Sequence, residues 1–164
     1  MCSSDLGIRK VNRDLYECTS RDPKLNGAGS TLVLATIKGS VLYVANIGDS
    51  RLYLLREALE QITKDHSYVE ELVAMGKLKR GSRDYLEKKN IITRAVGVSA
   101  QVDTDLFALK LKSGDQILMC SDGLSNMVDE LEIEYIIRSE DGVESRAKAL
   151  VDADRKSTRL NSSH

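Results

Sequence analysis

Two aspartates stand where an apolar run gives way to a turn that contains glycine. Asp49 follows Gly48 in the segment ANIGDSR, and Asp122 precedes Gly123 in the segment LMCSDGL. A strand end holds its side chain rigidly while glycine lets the backbone turn away, so each carboxylate can face a cleft. Rigid carboxylates suit hard divalent cations, which prefer oxygen ligands and tolerate bound water. The two residues are therefore either metal ligands or turn-forming aspartates that accept backbone N–H bonds.

Two other motifs are weaker candidates for chemistry. Cys120 lies in an apolar run with no histidine near it in sequence, so we expect an inert core thiol rather than a nucleophile. Gly29-Ser30-Thr31 lacks the spacing and the lysine of a P-loop. We therefore expect a turn at the start of a strand there rather than a phosphate cradle.

The elements that must position these residues are short β-strands followed by helices. Apolar and alternating runs predict three hairpins, with strands at 30–37 and 41–47, 51–56 and 60–63, and 104–111 and 116–120. Helical spacing predicts a helix after the N-cap Ser67, a short one within 82–88, and two more at 129–138 and 143–151. This mixture predicts an α+β fold with an aliphatic core.

Composition narrows the classes of function. The chain has 164 residues, enough for one domain, and 24 basic against 25 acidic side chains, which disfavours bulk nucleic-acid binding. Its three cysteines show no CxxC pair, so we expect a reducing, cytoplasmic setting. No run approaches the roughly 20 apolar residues that span a bilayer, so no membrane association is expected.

Five segments occur in a distinctive order: GAGSTLV (27–33), ANIGDSRLYL (45–54), QITKDHS (61–67), IITRAVG (91–97) and ILMCSDGLSNMV (117–128). In this order and at these spacings they resemble the bacterial branch of the metal-dependent serine/threonine protein phosphatases, the PPM type, also called type 2C. The resemblance covers about residues 7–154. Agreement of five segments is far more specific than any one of them.

The resemblance implies a β-sandwich of two antiparallel sheets flanked by helices, with a metal cluster at one end. It implies two core Mn²⁺ or Mg²⁺ ions and a weaker third. A hydroxide that bridges the core ions would attack the phosphorus of phosphoserine or phosphothreonine in line. The implied partners are phosphorylated proteins, including substrates of a bacterial Ser/Thr kinase, and the complete protein is expected to be a monomer.

Three residues of this chain match metal-binding positions of the family. Asp122 matches the aspartate that binds the core metals and faces the third site, and Asp49 matches the aspartate associated with the third metal. Asn126 stands where some relatives place a further acidic third-metal ligand, and its amide could contribute only a carbonyl oxygen. These residues are the metal ligands that the resemblance predicts.

Residues 68–90 correspond to the variable flap beside the catalytic cleft. The basic side chains of this segment could attract a phosphorylated partner or form a solvated face, and they are Lys77, Lys79, Arg80 and Arg83. His66 precedes the flap, and we expect it to brace the loop there rather than to act as the general acid.

Two motifs of the family are not found in this sequence: a DGxGG segment before residue 27 and a GxxDN segment after residue 154. The general acid and the phosphate-binding arginine are likewise expected outside the chain. Residues 7–154 are thus expected to form a partial phosphatase domain, inactive alone, between non-native or disordered tails at 1–6 and 155–164. The alternative is a non-catalytic, phosphatase-like binding or scaffold module.

Overall fold

The computed structural model describes residues 3–161 of the chain. In chain order its elements are α1 (Ser3–Arg21), β1 (Leu32–Lys38), β2 (Val41–Ile47), β3 (Arg51–Leu55), β4 (Leu59–Gln61), α2 (Tyr68–Ala74), α3 (Arg83–Lys88), β5 (Asp105–Lys110), β6 (Gln116–Cys120), α4 (Asp122–Met127), α5 (Glu130–Ser139) and α6 (Val143–Asn161). A single 3-10 turn at Pro23–Leu25 follows α1.

These elements form two compact units. The first contains the described residues up to Ser50 together with Thr63–Leu111, and the second contains Arg51–Ile62 and the described residues from Lys112 onward. Each unit holds one three-stranded antiparallel sheet, in the orders β1-β2-β5 and β4-β3-β6. Helices flank both sheets, so the predicted α+β fold with two antiparallel sheets is confirmed.

The first sheet grows from the β1–β2 hairpin, whose turn places Gly39 at a φ of +61°. One end of this sheet packs against α1, where Ile8, Ala45, Ile47 and Val96 form a buried cluster. Burial of these aliphatic side chains away from water is what fixes the helix on the sheet.

Helix α1 was not predicted from the sequence. Its inward-facing residues lie three and four apart, as one helix face requires: Ile8, Asn12 and Thr19 are buried, and Leu15 is partly buried. Two of these four are polar, so the hydrophobic period that would reveal the helix is weak. The polar pair is satisfied by the loop that precedes β5. Asn12 accepts a hydrogen bond from Gly97 N and donates to Ser99 O, and Thr19 Oγ1 donates to Gly97 O at 3.3 Å.

The second sheet carries the larger aliphatic cluster, formed with α5 and α6. Its buried members are Leu55, Val128, Ile133, Ile137 and Leu150. Helix α5 begins where its N-cap Asp129 accepts a hydrogen bond from Glu132 N at 2.8 Å, which satisfies one of the unpaired N–H groups of the first turn.

The predicted hairpin between 104–111 and 116–120 is wrong. Strand β5 pairs with β2, and β6 pairs with β3 in the other sheet. The connection between them does turn, with Lys112 N donating to Asp115 Oδ2 at 2.7 Å. Asp115 is also held by Arg56 at the end of β3, through bonds of 2.8 and 2.7 Å, which directs the following strand to that sheet.

Other local predictions agree with the structure. Ser67 and Ser82 cap α2 and α3 by accepting hydrogen bonds from Glu70 N and Tyr85 N. Residues 3–6 and 155–161 are helical, as parts of α1 and α6, and positions 1–2 and 162–164 of the predicted tails lie outside the described residues. The nature of both tails and the domain bounds at 7 and 154 stay predictions. Within residues 3–161, none of the helices is both long and apolar enough to cross a membrane.

Candidate functional site

Asp49 lies in the tight turn that follows β2, and the turn depends on the glycine before it. Gly48 has a φ of +101°, which side chains of L-residues rarely permit. A Cβ there would lie 2.5 Å from Thr31 Cγ2 and 2.8 Å from Thr31 Cβ. Thr31 also fixes the far end of the turn, since its hydroxyl lies 2.8 Å from the hydroxyl of Ser50. The backbone on either side of the half-buried Asp49 is thus restrained to this turn conformation.

His66 supports the same turn from the segment before α2. Gly48 N donates to His66 Nδ1 at 3.0 Å, and His66 N donates to Gly48 O at 3.0 Å. The ring is only 6% exposed, and its Nε2 lies 3.1 Å from Asp105 Oδ2. The side chain of His66 thus braces the loop that carries Asp49, and the bracing predicted at the start of α2 stays a prediction.

Asp105 completes this cluster at the start of β5. Arg94 Nη1 donates to Asp105 Oδ1 at 3.1 Å and lies 3.4 Å from His66 Nε2. Burial alone would raise the pKa of Asp105, but the hydrogen bond from His66 and the charge and hydrogen bond of Arg94 outweigh it, so its pKa lies below the ordinary value. Sequence reasoning missed Asp105 and Arg94 because their partnership arises only from tertiary structure.

Asp122 is the first residue of α4 in the second unit, where it is half-buried. Asn126, one helical turn on, donates from Nδ2 to Asp122 Oδ2 at 3.2 Å. The amide group of Asn126 thus orients the carboxylate of Asp122. A metal-binding role for Asn126 and for Asp122 stays a prediction.

Arg51, the last residue of the GDSR motif, has a structural role in the second unit. Its Nη1 donates to Tyr53 Oη at 2.8 Å and lies 4.0 Å from Glu130 Oε1. Burial of the Tyr53 ring, only partly offset by the hydrogen bond and charge of Arg51, raises the pKa of Tyr53 to about 12. This phenol is therefore a hydrogen-bonding group of the core and not an acid at neutral pH. Cys120 faces Arg51 in the strand register and is half-buried.

The GAGST and ITRAVG segments meet in the first unit. Ser30 and Val96 exchange two backbone hydrogen bonds of 3.0 and 2.8 Å. A Cβ on Gly29 would lie 2.5 Å from Val98 Cγ2, and one on Gly97 would lie 2.5 Å from Leu15 Cδ2. Gly29 is therefore a residue of close backbone approach just before β1.

The predicted flap segment contains α2 and α3, and the carboxylate of Glu70 in α2 forms hydrogen bonds that connect the two helices. Glu70 accepts hydrogen bonds from Arg80 and, at 2.7 Å, from Tyr85 Oη. Arg83 pairs with Glu87 at 2.9 Å along α3. Two of the four basic residues singled out from sequence are thus held in ion pairs within the segment, while the side chains of Lys77 and Lys79 are exposed.

The predicted ligands fit a divalent cation in donor type. Carboxylate oxygens of Asp49 and Asp122 are the hard donors that Mn²⁺ and Mg²⁺ accept. In the part of the chain that the structure describes, no three His, Cys, Asp or Glu side chains form a group that could hold a metal ion. Each of these carboxylates can therefore supply only part of a coordination shell.

Comparison with known proteins gives one consistent result. Residues 7–72 match the family Protein phosphatase 2C. The serine/threonine phosphatase stp of Listeria monocytogenes serotype 4b is 39% identical over 145 residues, which cover 88% of this chain and 58% of that protein.

Solved structures agree with the sequence match. The S. agalactiae serine/threonine phosphatase superposes with a TM-score of 0.86 at 31% identity, covering 93% of this chain and 63% of that one. The catalytic domain of the serine threonine protein phosphatase PstP, solved in complex with two manganese ions, gives 0.78 at 33% identity, covering 89% and 60%. The chain spans about 58% of the length of the curated Listeria relative. From the five ordered motifs, the two sheets and these matches, the chain belongs to the protein phosphatase 2C family.

Proposed function

We propose that this chain is part of a protein serine/threonine phosphatase that depends on divalent metal ions. The observation that carries the proposal is the GDSR turn. Gly48 is the residue type that the φ of +101° and the contact with Thr31 allow, and the turn presents a half-buried carboxylate on a restrained backbone. The Listeria relatives that are 39% identical to this chain are named serine/threonine phosphatases, and a Streptococcus pneumoniae relative is named a protein phosphatase.

Asp122 and Asp49 are the residues of this chain proposed to bind metal, with Asn126 as a weaker third. Mn²⁺ or Mg²⁺ in such sites stabilises negative charge on phosphoryl oxygens and lowers the pKa of water. The carboxylate of Asp122 is oriented by Asn126, and that of Asp49 is carried by the restrained turn. Holding the ligands in fixed positions avoids the cost of ordering them when the ion binds.

The proposed substrates are phosphoproteins, including those of a bacterial Ser/Thr kinase, and the proposed setting is a cytoplasmic monomer. Lys77 and Lys79 are exposed cations on the flap segment that support attraction of a phosphorylated chain. Arg80 and Arg83 are also exposed, but they pair with Glu70 and Glu87. Phosphate-bearing peptides are drawn to such cations over distances within the Debye length.

A chimera tests the proposed function. Residues 7–154 would replace the matching segment of the Listeria phosphatase, and hydrolysis of a phosphothreonine peptide would be followed with and without Mn²⁺. We expect Mn²⁺-dependent turnover by the chimera, at least about 100-fold slower after Asp122→Ala, because the ligand supplies charge stabilisation at the reacting phosphate. The chain alone is expected to show no turnover.

The control is Asp152→Ala, which alters an exposed carboxylate of α6. Its turnover should match that of the unaltered chimera. A folded chimera without activity that still binds the phosphopeptide would contradict the proposal and favour the scaffold alternative.

A further inference from the structure

One residue, His66, holds the turn of Asp49 through its side chain and through its backbone. His66 accepts the N–H of Gly48 on Nδ1 at 3.0 Å and donates its own backbone N–H to Gly48 O at 3.0 Å. The two residues lie 18 positions apart, so this is a tertiary restraint and not part of a local turn. Gly48 is buried, so its amide depends on hydrogen-bond partners within the protein.

The ring of His66 has one allowed orientation. Because Nδ1 accepts the Gly48 hydrogen bond, the proton of the neutral ring lies on Nε2. That nitrogen lies 3.1 Å from Asp105 Oδ2, and Asp105 is in turn bound by Arg94 at 3.1 Å. The chain of contacts from Arg94 to Gly48 therefore fixes which way the imidazole points.

Asn46 contributes a second support at a cost in stability. Its Nδ2 donates to Lys64 O at 2.9 Å and to Gly48 O at 3.4 Å, which ties the segment before His66 to the turn. Both acceptors are carbonyls, so the amide orientation is determined. The Asn46 side chain is fully buried, and its Oδ1 has no hydrogen-bond partner among the described residues. A buried acceptor without a partner is unfavourable, so the geometry here is kept at the expense of stability.

Glycine needs such external supports more than any other residue. Without a side chain it has the widest choice of backbone conformations, and holding it in one of them costs the most conformational entropy. The Thr31–Ser50 contact restrains only the far end of the turn. The peptide just before Asp49 depends on His66.

We propose that His66 is a positioning residue that holds the Gly48–Ser50 turn in the conformation that presents Asp49. The inference rests on the proposed function only where it connects this turn to metal binding. His66 itself contacts no reacting group in this role, and it acts through the backbone of Gly48.

Two isosteric variants separate this role from general stability. In His66→Asn the Oδ1 atom takes the place of Nδ1 and can still accept the Gly48 N–H, while the donor to Asp105 is lost. In His66→Gln the terminal amide reaches the place of Nε2 and can still bind Asp105, while the acceptor for Gly48 is lost. Both variants remove the imidazole, so they share the general effect of replacing it.

Amide hydrogen exchange of the 164-residue chain, followed by NMR, measures directly how well the Gly48 amide is protected in the turn. We expect the Gly48 amide of His66→Gln to exchange about tenfold faster or more, as loss of one hydrogen bond predicts, and that of His66→Asn to stay within about threefold of the parent. Amides at the centre of β2 report global unfolding, and rates at Gly48 are taken relative to them. Equal rates at Gly48 in parent, Asn and Gln proteins would overturn the inference.

A Mn²⁺ titration of the same samples connects the turn to metal. Paramagnetic broadening of the Asp49 amide should require about tenfold more Mn²⁺ in His66→Gln than in His66→Asn. Faster exchange at Gly48 with an unchanged Mn²⁺ requirement would overturn the connection to metal. If Mn²⁺ leaves Asp49 unbroadened in the parent chain, the metal role proposed for Asp49 fails, while the exchange rates still decide the role of His66.

Discussion

Gly48 combines two restrictions that can be measured separately. Its φ of +101° disfavours any side chain, and a Cβ would meet Thr31 at 2.5 Å. The backbone restriction costs about 1–2 kcal/mol and overpacking a further 1–3 kcal/mol. We therefore expect Gly48→Ala to lower the free energy of unfolding by about 2–5 kcal/mol in urea denaturation.

Gly114→Ala is the matched control for Gly48→Ala. Gly114 has a φ of +88°, but a Cβ there would meet no atom within 4 Å. It should therefore show only the backbone cost of about 1–2 kcal/mol. Equal losses for the two variants would show that the contact with Thr31 is relieved by a small shift.

The ion pair of Arg56 with Asp115 predicts an acid-dependent stability. The hydrogen bond from Arg56, followed by that from Lys112 N, lowers the pKa of Asp115 from 3.8 to about 2. A pKa depressed by folding contributes stability that is present above the unfolded pKa and is lost as the pH falls through the folded pKa. The contribution of Asp115 should therefore disappear between about pH 4 and pH 2.

Asp115→Asn should reveal that contribution in denaturation curves measured across the acid range. The variant should be less stable than the parent at pH 6, and the difference should shrink as the pH approaches 2. Arg56→Gln removes the partner and should give the same convergence. A difference between parent and Asp115→Asn that stays constant over this range would show that the pair does not lower the pKa.

At the scale of elements, α5 contributes one of the buried faces of the second unit. Ile133 is fully buried in the cluster with Leu55 and Val128, whereas Leu131 in the same helix is 82% exposed. Truncating a buried isoleucine leaves a cavity, so Ile133→Ala should lower the free energy of unfolding by about 2–5 kcal/mol.

Leu131→Ala is its control and should change the free energy of unfolding by less than about 0.5 kcal/mol, because little apolar surface is removed from contact. Urea denaturation compares the two variants. Equal losses would mean that α5 is not packed on this sheet.

The strands and short helices could be predicted because their signals are local. Alternation and turn residues located β1, β2 and β3, and serine side chains marked the starts of α2 and α3. Helix α1 was not predicted because the polar residues Asn12 and Thr19 interrupt the hydrophobic pattern of its buried face. The pairing of β5 with β2 could not be read from the sequence, since strand patterning does not name the partner.

Some residues of the candidate site could likewise be predicted from the sequence, and others could not. Asp49 and Asp122 could be recognised from the sequence because each lies beside a glycine at the end of an apolar run, and this pattern consists of consecutive residues. The contacts of His66 with Gly48 and with Asp105 join residues far apart in sequence, and nothing in the KDHS motif specifies them. Sequence therefore identified the candidate ligands, and the structure identified what holds one of them.

At the scale of the whole molecule, the two units interleave along the chain. β2 belongs to the first unit and leads through the Gly48–Ser50 turn into β3 of the second, and the chain returns to the first unit at Thr63. Loops that close over such separations are costly in entropy, so pairing between distant strands is slow compared with hairpin formation.

This interleaving has a consequence for biosynthesis. On the ribosome, the β1–β2 hairpin can form as soon as it emerges, but the edge of β2 that β5 will occupy stays open while β3, β4, α2 and α3 are still being made. The β3–β4 hairpin likewise waits for β6. Each nascent sheet thus passes through a stage with an open apolar edge, and translation speed between residues 62 and 120 sets how long that edge is available to other chains.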